Sequence, residues 1–344
     1  MRGNKSLESI KFILIFLVVY GHSVQHNMKE DSFKMFLFCS FAIFVIPLFI
    51  MISGFQSKKL NWKKYKRTSI SLLVTYFFFQ TIYYLPSMTE AGLGFTIIPN
   101  IMGEFSLFNF LFIPTGSLWF IWGLLVWRTF IYFIIKYKIN FTISMSISLA
   151  IASALGFIRI EIPSSRILVF FPFFLLGYFC SNEIYQKIKT SKLIYSLPAL
   201  LLIPAAVLLH NDSKQFFFIV FGETPYSSYA SILSGLSYRI IFYPITVICS
   251  LAVLRILPDY FYKWGNKTLG ILLIHPLLVY PVYHLIIHSY NLEPNLIVDL
   301  IAATIITVIC ILLQKIKMMQ YIIYPAFLLQ NRKLTSLITT KDSL

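Results

Sequence analysis

Polar residues inside the apolar runs of this chain are the ones that could do chemistry, because an ionisable group in a membrane is costly and needs a reason. The first apolar run contains two of them, Lys11 and His22. Eleven residues of α-helix separate these side chains by about 20° around the axis and ~16 Å along it. One helix face would then carry a cation near its start and an imidazole farther along. The alternative is that Lys11 reaches lipid headgroups and His22 bonds a neighbouring carbonyl.

Two further candidates follow the second apolar run. Ser53 and Gly54 lie at its end, where small residues either let another backbone or a ligand approach closely or simply end a helix. A dense basic cluster comes next and finishes with Arg67. The planar guanidinium of Arg67 suits a forked contact with phosphate, whereas the neighbouring lysines are expected to anchor the chain at the membrane surface.

Two more candidates lie in later apolar runs: Trp119 near the start of the fourth run and His275 inside the ninth. Trp119 fits either a binding site or the aromatic belt at a membrane surface. His275 precedes Pro276, which cannot bond the carbonyl one turn earlier, so His275 is either functional or structural. Arg128 and Arg239 also lie in apolar runs, where they pair with carboxylates or line a polar cavity.

No metal site and no disulfide is expected. His284 and His288 have a spacing that suits zinc, but no third ligand accompanies them. The four cysteines stand alone in or beside apolar runs, without metal-ligand spacing.

Composition places these residues in a membrane. The chain has 344 residues, 58% hydrophobic and 12% charged, and its mean hydropathy is +0.77. Soluble domains carry about 25% charge. A bilayer core needs ~20 apolar residues for each helical span. The runs are too long and too apolar on all faces for a barrel. We therefore expect an all-α bundle of about ten transmembrane helices, near 7–26, 36–56, 69–86, 118–135, 141–158, 166–181, 193–210, 230–255, 267–288 and 296–314.

The remaining segments predict a single membrane domain. Residues 1–320 form the transmembrane domain, and 321–344 form a cytoplasmic C-terminal tail. The short apolar segments 105–113 and 321–329 are expected to be interfacial or re-entrant. The basic, apolar start has no small-residue cleavage site and is expected to remain as the first helix.

Charge gives the expected orientation. The formal net charge is +16. With the N-terminus inside, 22 Lys and Arg fall on the cytoplasmic side and 5 on the outer side. This asymmetry favours cytoplasmic N- and C-termini, and anionic membrane lipids account for most of the excess charge. The chain has no nucleic-acid motif, so no nucleic acid is expected as a partner.

Five motifs occur in this order along the chain: Lys11-x10-His22, Pro47 to Phe55, Arg67 before an apolar run, Leu118-Trp119-Phe120, and Leu269-Gly270 before His275-Pro276. Taken together, they resemble the membrane-bound acyltransferase family 3. The resemblance is strongest to members that O-acetylate cell-surface sugars, such as fucose 4-O-acetylase-like and enterobacterial-common-antigen acetyltransferases. Ser117 stands where the family often has His, so Ser117 is assigned no catalytic role.

The resemblance implies a multi-pass O-acyltransferase of the bacterial inner membrane. It would move an acyl group, most simply acetyl, from cytoplasmic acyl-CoA to a hydroxyl of a cell-surface glycan or lipid-linked saccharide. No cofactor would be bound, because acetyl-CoA serves as co-substrate. His22 and Lys11 would be catalytic, with His22 acting as general base or as a covalent acyl carrier. The implied substrate-binding residues are Arg67, Ser53, Trp119 and His275.

Two other classes of function stay open. A transporter could move an acyl donor or lipid-linked sugar without chemistry, although the chain shows no internal repeat. A membrane scaffold is a second alternative, but it leaves the aligned Lys11 and His22 without a purpose. Within the enzyme class, a longer acyl group such as succinyl is also open, and so is the identity of the acceptor.

Overall fold

The described part of the chain is helical. The structure is a computed structural model that describes residues 5–25, 31–58, 62–87, 107–158, 164–208, 222, 224–290, 292–293 and 295–325, without the side chains of 84–87, 109, 164, 206, 208, 280 and 284–290. These ranges form no strand. Their α-helices are α1 Lys5–Gln25, α2 Ser32–Ala42, α3 Val45–Gln56, α4 Trp62–Ser87, α5 Leu107–Phe112, α6 Leu118–Lys136, α7 Phe141–Ala154, α8 Ser164–Phe179, α9 Asn182–Thr190, α10 Leu197–Leu208, α11 Ile232–Ile256, α12 Thr268–Tyr290, α13 Leu296–Leu313 and α14 Lys317–Ile323.

Each of the ten apolar runs overlaps a helix, with two differences. The second run is divided, because α2 ends at Ala42 and α3 begins at Val45. The helix of the third run is α4, which begins at Trp62, seven residues before the run. The basic cluster at 63–67 therefore lies inside α4 instead of in a loop. Segment 105–113 contains the short helix α5, and 321–329 begins in α14. Residues 326–344 of the predicted tail lie outside the described residues.

Helix α9 was not predicted from the apolar runs, because it is amphipathic and short. Ser181 caps it by accepting a hydrogen bond from the backbone N–H of Ile184 at 3.1 Å. Tyr185 is buried, and its ring lies 5.4 Å from that of Phe55. Helix α9 turns 93° from α8, so the two helices form a sharply bent pair.

Several described helices are long and apolar enough to cross a membrane. Five qualify by length and composition, and the number is six if the bent pair of α8 and α9 is counted as one span. The qualifying segments are Lys5–Gln25, Ser32–Gln56, Leu118–Lys136, Ile232–Ile256 and Leu296–Leu313. Helices α7 and α10 are shorter apolar helices.

Apolar stripes on the outside of the bundle agree with a lipid environment. On α7, Ile143, Ile147 and Ile151 recur every fourth residue and are 49%, 53% and 43% exposed. Such spacing puts all three side chains on one face of the helix. A contiguous exposed apolar face of this kind is uncommon on a protein surrounded by water. These stripes are therefore the lipid-facing side of the helices.

Helix α1 lies at the centre of the helices that form the site. It packs against α2, α3, α12 and α13, and against the 3-10 turn Tyr262–Lys267. Ile10, Leu14 and Val19 are fully buried along it. Ser9 joins α1 to the segment before the turn, since its hydroxyl donates to Pro258 O at 2.6 Å. The turn leads directly into α12, which consequently runs beside α1.

Two glycines allow α3 and α8 to cross in close contact. A Cβ on Gly54 would collide with the carbonyl of Phe174, and a Cβ on Gly177 would collide with that of Met51. The predicted close approach at the Ser53-Gly54 step is therefore made by another helix. Small residues serve this purpose in membrane helices, because they let backbones approach.

The two ends of the bundle can be named from α1. The end that contains the start of α1 and the end of α3 is called the Glu8 end. There, Gln56 Nε2 of α3 lies 3.3 Å from Glu8 Oε1 of α1. Since α4 follows α3 directly, Trp62 is also at this end, and its ring lies 4.9 Å from Tyr132 near the end of α6. The opposite end, where α1 finishes, is the His22 end.

A buried ion pair joins three helices at the His22 end. Lys34 Nζ on α2 lies 2.8 Å from Asp299 Oδ2 on α13, and both side chains are almost completely buried. Tyr283 on α12 donates its hydroxyl to Asp299 Oδ1 at 2.9 Å. Asp299 therefore holds α2, α12 and α13 together around the end of α1.

Breaking this ion pair from one side should destabilise the protein more than removing both charges. Lys34→Met leaves the Asp299 carboxylate buried without a counter-charge, which costs about 3–5 kcal/mol. Lys34→Met combined with Asp299→Asn should recover most of the loss, because the amide still accepts from Tyr283. Thermal unfolding of the detergent-purified protein measures both.

Asp259→Asn is the matched control. The half-exposed Asp259 lies 3.4 Å from Lys189 Nζ, which also donates to the carbonyls of Leu254 and Leu257. Losing the exposed carboxylate of such a pair should cost less than about 1 kcal/mol. An equal loss in the single and double Lys34 variants would contradict the role given to the buried charge.

Candidate active site

Pro276 opens the backbone of α12 in the middle of the bundle. Because proline has no N–H, the carbonyl of Leu272 loses its usual helical partner. Ser117 takes that place by donating its hydroxyl to Leu272 O at 2.9 Å. Tyr83 of α4 donates to the next carbonyl, Leu273 O. One turn of α12 is thus held by α4 and by the start of α6.

His275 lies in this opened turn and is fully buried. Its Nδ1 is 2.8 Å from Ile271 O. A carbonyl oxygen only accepts, so Nδ1 carries the hydrogen, and in the neutral ring Nε2 is the unprotonated nitrogen. Within the described part of the chain, Nε2 makes no hydrogen bond. A buried polar atom without a partner is rare and marks a site where a ligand or second group can bind.

His22 of α1 lies against His275. The two ring centroids are 5.3 Å apart, and the ring planes are inclined by 37°. His22 Nδ1 is 2.8 Å from Gln25 Oε1, one turn farther along α1. The side chain of His22 is exposed, whereas that of His275 is enclosed. The structure therefore brings together two of the predicted site residues, one accessible and one buried.

A glutamine that the sequence did not single out positions Ser117. Gln80 of α4 is fully buried. Its Nε2 donates to Ile113 O at 2.8 Å, and its Oε1 accepts from the Thr115 N–H at 3.0 Å. These bonds hold the loop that leads into α6. The available signal was a lone amide within an apolar run, since such a group needs backbone partners in lipid.

Lys11 lies on the His22 helix but apart from the two imidazoles, eleven residues or ~16 Å along the axis. Its Nζ makes an ion pair with Glu8 Oε1 at 2.8 Å. Gly265 of the 3-10 turn packs directly on Glu8, where a Cβ would collide with both the backbone and the carboxylate. Glu8 is thus the carboxylate partner of Lys11, and His22 is paired with an amide.

The other predicted site residues are spread along the bundle. Arg67 is half-buried near the start of α4, sixteen residues or ~24 Å along that helix from Tyr83. Ser53 donates its hydroxyl to Phe49 O of its own helix at 2.9 Å. Trp119 is 8% exposed, and the guanidinium of Arg166 lies 4.9 Å from its ring centroid. None of these contacts joins the three residues to the histidine pair.

Leu269-Gly270, part of the motif before His275, is where α13 approaches α12. A Cβ on Gly270 would collide with the amide of Gln314. Gln314 Nε2 donates to Lys267 O at 3.1 Å and so secures the entry of α12. The motif therefore places the helix that carries His275.

The histidine pair can move a proton or carry an acyl group. An imidazole with an unprotonated nitrogen can act as a general base or as a nucleophile. Among the residues that the structure describes, no group of three or more His, Cys, Asp and Glu could hold a metal ion. The side chains of His284 and His288 lie outside that description.

The fold and the site define a helical membrane protein in which an exposed imidazole contacts a buried one. The family model for the acyltransferase domain, acyltransferase family 3, matches residues 4–315. The chain belongs to this family, and its domain is a membrane acyltransferase domain. A search of the curated proteins and a search of the solved structures each found no significant match.

Ser117 should matter through its hydroxyl. Ser117→Ala leaves the buried Leu272 carbonyl without its donor, which should lower stability by about 1–3 kcal/mol and reduce acyltransferase activity by displacing His275. Ser117→Thr keeps the hydroxyl and should restore much of both. Thermal unfolding and an acyl-transfer assay measure the two effects.

Thr81→Ala serves as the control, because Thr81 is exposed and its hydroxyl donates to Phe77 O of its own helix. Its effect on stability should stay within about 0.5 kcal/mol. If Ser117→Ala behaved like Thr81→Ala, the bond to Leu272 would have no importance for the site.

Proposed function

We propose that this protein is an O-acyltransferase that moves an acyl group, most simply acetyl, from cytoplasmic acyl-CoA to a hydroxyl of a cell-surface or lipid-linked glycan. It resembles the fucose 4-O-acetylase-like branch of the family. It acts in the bacterial inner membrane with ten spans and cytoplasmic termini. The observation that carries this proposal is the contact between His22 and His275 at the opened turn of α12.

The arrangement of charge supports the proposed orientation. Gln56 reaches Glu8, so the basic segment after α3 and the start of α1 lie at one end of the bundle. Arg67 and the neighbouring lysines are at this Glu8 end, where positive charge favours the cytoplasmic side. The phosphates of acyl-CoA would enter here, and the thioester would lie toward His22.

His22 acts as general base in the simpler of two routes. Its unprotonated nitrogen takes the proton of the acceptor hydroxyl while the oxygen attacks the thioester carbonyl. A C–O bond forms and the C–S bond breaks. The CoA thiolate leaves and takes the proton back from the imidazolium. Gln25 holds the His22 tautomer that this step requires, as its Oε1 accepts from Nδ1–H.

His22 carries the acyl group covalently in the other route. The unprotonated imidazole nitrogen attacks the thioester carbonyl, a C–N bond forms, the C–S bond breaks and CoA leaves as the thiolate. The acceptor hydroxyl then attacks the acyl carbon, the C–N bond breaks, and the hydroxyl proton balances the charge of the released thiolate, so the net products are the ester and the CoA thiol. His275 contacts the reacting ring from the buried side in both routes, so it is positioned to orient His22. The two routes differ in whether label from acyl-CoA remains on the protein without acceptor.

His22→Ala should abolish acyl transfer while the protein still inserts and folds. Loss of a general base lowers the rate by about 100- to 10,000-fold. His22→Gln keeps more of the side-chain volume and should be equally inactive. Mass spectrometry of surface glycan from cells with each variant measures acylation, and thermal unfolding tests the fold.

Radiolabelled acetyl-CoA separates the routes in the same experiment. Label retained by the wild type without acceptor, and absent from His22→Ala, identifies the covalent route. Normal glycan acylation by His22→Ala would overturn the proposed role. A wild type that never consumes acyl-CoA would favour transport.

Arg67→Ala should weaken acyl-CoA binding. Loss of charge-assisted hydrogen bonds to phosphate should raise the KM for acetyl-CoA about tenfold to a hundredfold. Lys63 is an exposed cation in the same cluster, and Lys63→Ala should change KM little. Equal KM values for Arg67→Ala and the wild type would remove Arg67 from the donor site.

A further inference from the structure

Arg128 is a cation inside the bundle whose charge has no counter-charge among the described residues. It is half-buried in the middle of α6. Its Nε is buried and makes no hydrogen bond. Two other intramembrane cations are compensated. Lys34 pairs with Asp299, and Arg239 donates to the carbonyls of Ala152 and Thr224 at 3.2 and 3.4 Å. Desolvating an uncompensated charge is costly, so Arg128 needs a separate explanation.

The face of α6 that carries Arg128 leads to the histidine pair. Ser117, which bonds the α12 backbone beside His275, precedes Arg128 by eleven residues. With α-helical spacing, Ser117 and Arg128 are about 20° apart around the axis of α6 and ~16 Å apart along it. Tyr132 follows on the same face one turn after Arg128. This stripe therefore runs from the opened turn of α12 to the Glu8 end.

Stacked aromatic rings stand at the Glu8 end of that stripe. The ring of Tyr132 lies 4.9 Å from Trp62 and 5.5 Å from Tyr65, and the Trp62 and Tyr65 rings are 5.5 Å apart. Tyr65 OH is 2.7 Å from Thr129 Oγ1, which fastens α4 to α6 beside Arg128. Trp62 is 56% exposed, so part of its ring is available to another molecule.

A second unpartnered polar atom lies on the facing side of this seam. Ser69 follows Tyr65 by one turn of α4, and its hydroxyl is buried without a hydrogen bond in the described structure. The seam between α4 and α6 thus contains a cation and a hydroxyl that both lack partners. Polar atoms left unpaired on both sides of one seam indicate a place for a polar ligand.

We propose that the seam of Arg128, Ser69, Tyr132 and Trp62 binds the nucleotide part of acyl-CoA. Arg128 takes a phosphate, for which its planar fork is suited. The adenine stacks on the exposed Trp62 ring, as bases do on aromatic side chains. The acyl arm then extends along the α6 stripe toward His275. This inference rests on the proposed acyl-CoA donor and adds the residues that hold it.

Binding of CoA to the purified protein tests the seam directly. The probe is CoA itself, measured by isothermal titration in phosphatidylcholine nanodiscs. Arg128→Met and Trp62→Ala should each weaken binding about tenfold or more. Arg128→Lys should fall between wild type and Arg128→Met. The controls are Lys187→Met and Tyr260→Ala, an exposed cation on α9 and an exposed aromatic in the loop after α11, and both should bind as wild type does.

A donor without the nucleotide gives a second test, which separates a role in binding the nucleotide from a role in holding the bundle together. Acetyl-pantetheine has the thioester but no nucleotide. Arg128→Met and Trp62→Ala should therefore lower kcat/KM for acetyl-CoA about tenfold and leave kcat/KM for acetyl-pantetheine unchanged. An equal loss with both donors would mean that the variants disturb the bundle, which overturns the proposal.

The remaining outcomes separate this inference from the proposed function. If the wild type binds CoA, and Arg128→Met and Trp62→Ala bind it with the same affinity, the proposed seam is wrong. The proposal that acyl-CoA is the donor then still stands. A wild type that binds no CoA overturns both. If phosphatidylglycerol stabilises the wild type but not Arg128→Met, while CoA affinity is the same in both, Arg128 serves a lipid headgroup and the proposal is wrong.

Discussion

The site depends on one constraint, that a backbone carbonyl inside a bilayer must find a hydrogen-bond donor. Pro276 removes the donor that Leu272 would normally have. The bundle replaces it with Ser117, while Tyr83 bonds the adjacent carbonyl of Leu273. Helices α4 and α6 are therefore drawn to the same turn of α12. That turn carries His275, so a defect in one helix determines where the buried imidazole lies.

The sequence predicted the parts of this arrangement that local spacing controls. Apolar runs located the helices, and the eleven-residue interval predicted that Lys11 and His22 share a face. The open carbonyl before Pro276 was also expected from the missing N–H. The donors that fill it were not, because Ser117 and Tyr83 lie 155 and 190 residues from their acceptors. Such contacts depend on how distant helices pack.

Ser117 illustrates the difference between a motif and its physical role. The resemblance gave this position no catalytic role, because the family often has His there. The structure nevertheless gives its hydroxyl a bond to the backbone beside His275. Ser53-Gly54 shows the opposite case. Its small residues could have admitted a ligand, but the facing backbone of α8 occupies that space. Spacing alone could not decide between these possibilities.

The charges along the proposed donor path are not equivalent. Lys11 and Glu8 form an ion pair with no net charge, so together they attract a phosphate only weakly. Arg128 keeps its full charge in a partly desolvated place, where electrostatic interactions are stronger than in water. Lys11 lies ~16 Å along α1 from His22, and Arg128 lies ~16 Å along α6 from Ser117. In the proposed donor path, attraction for the anionic part of acyl-CoA would therefore centre on α6 and α4. The Lys11–Glu8 pair, packed on Gly265, also fixes α1 against the turn that leads into α12.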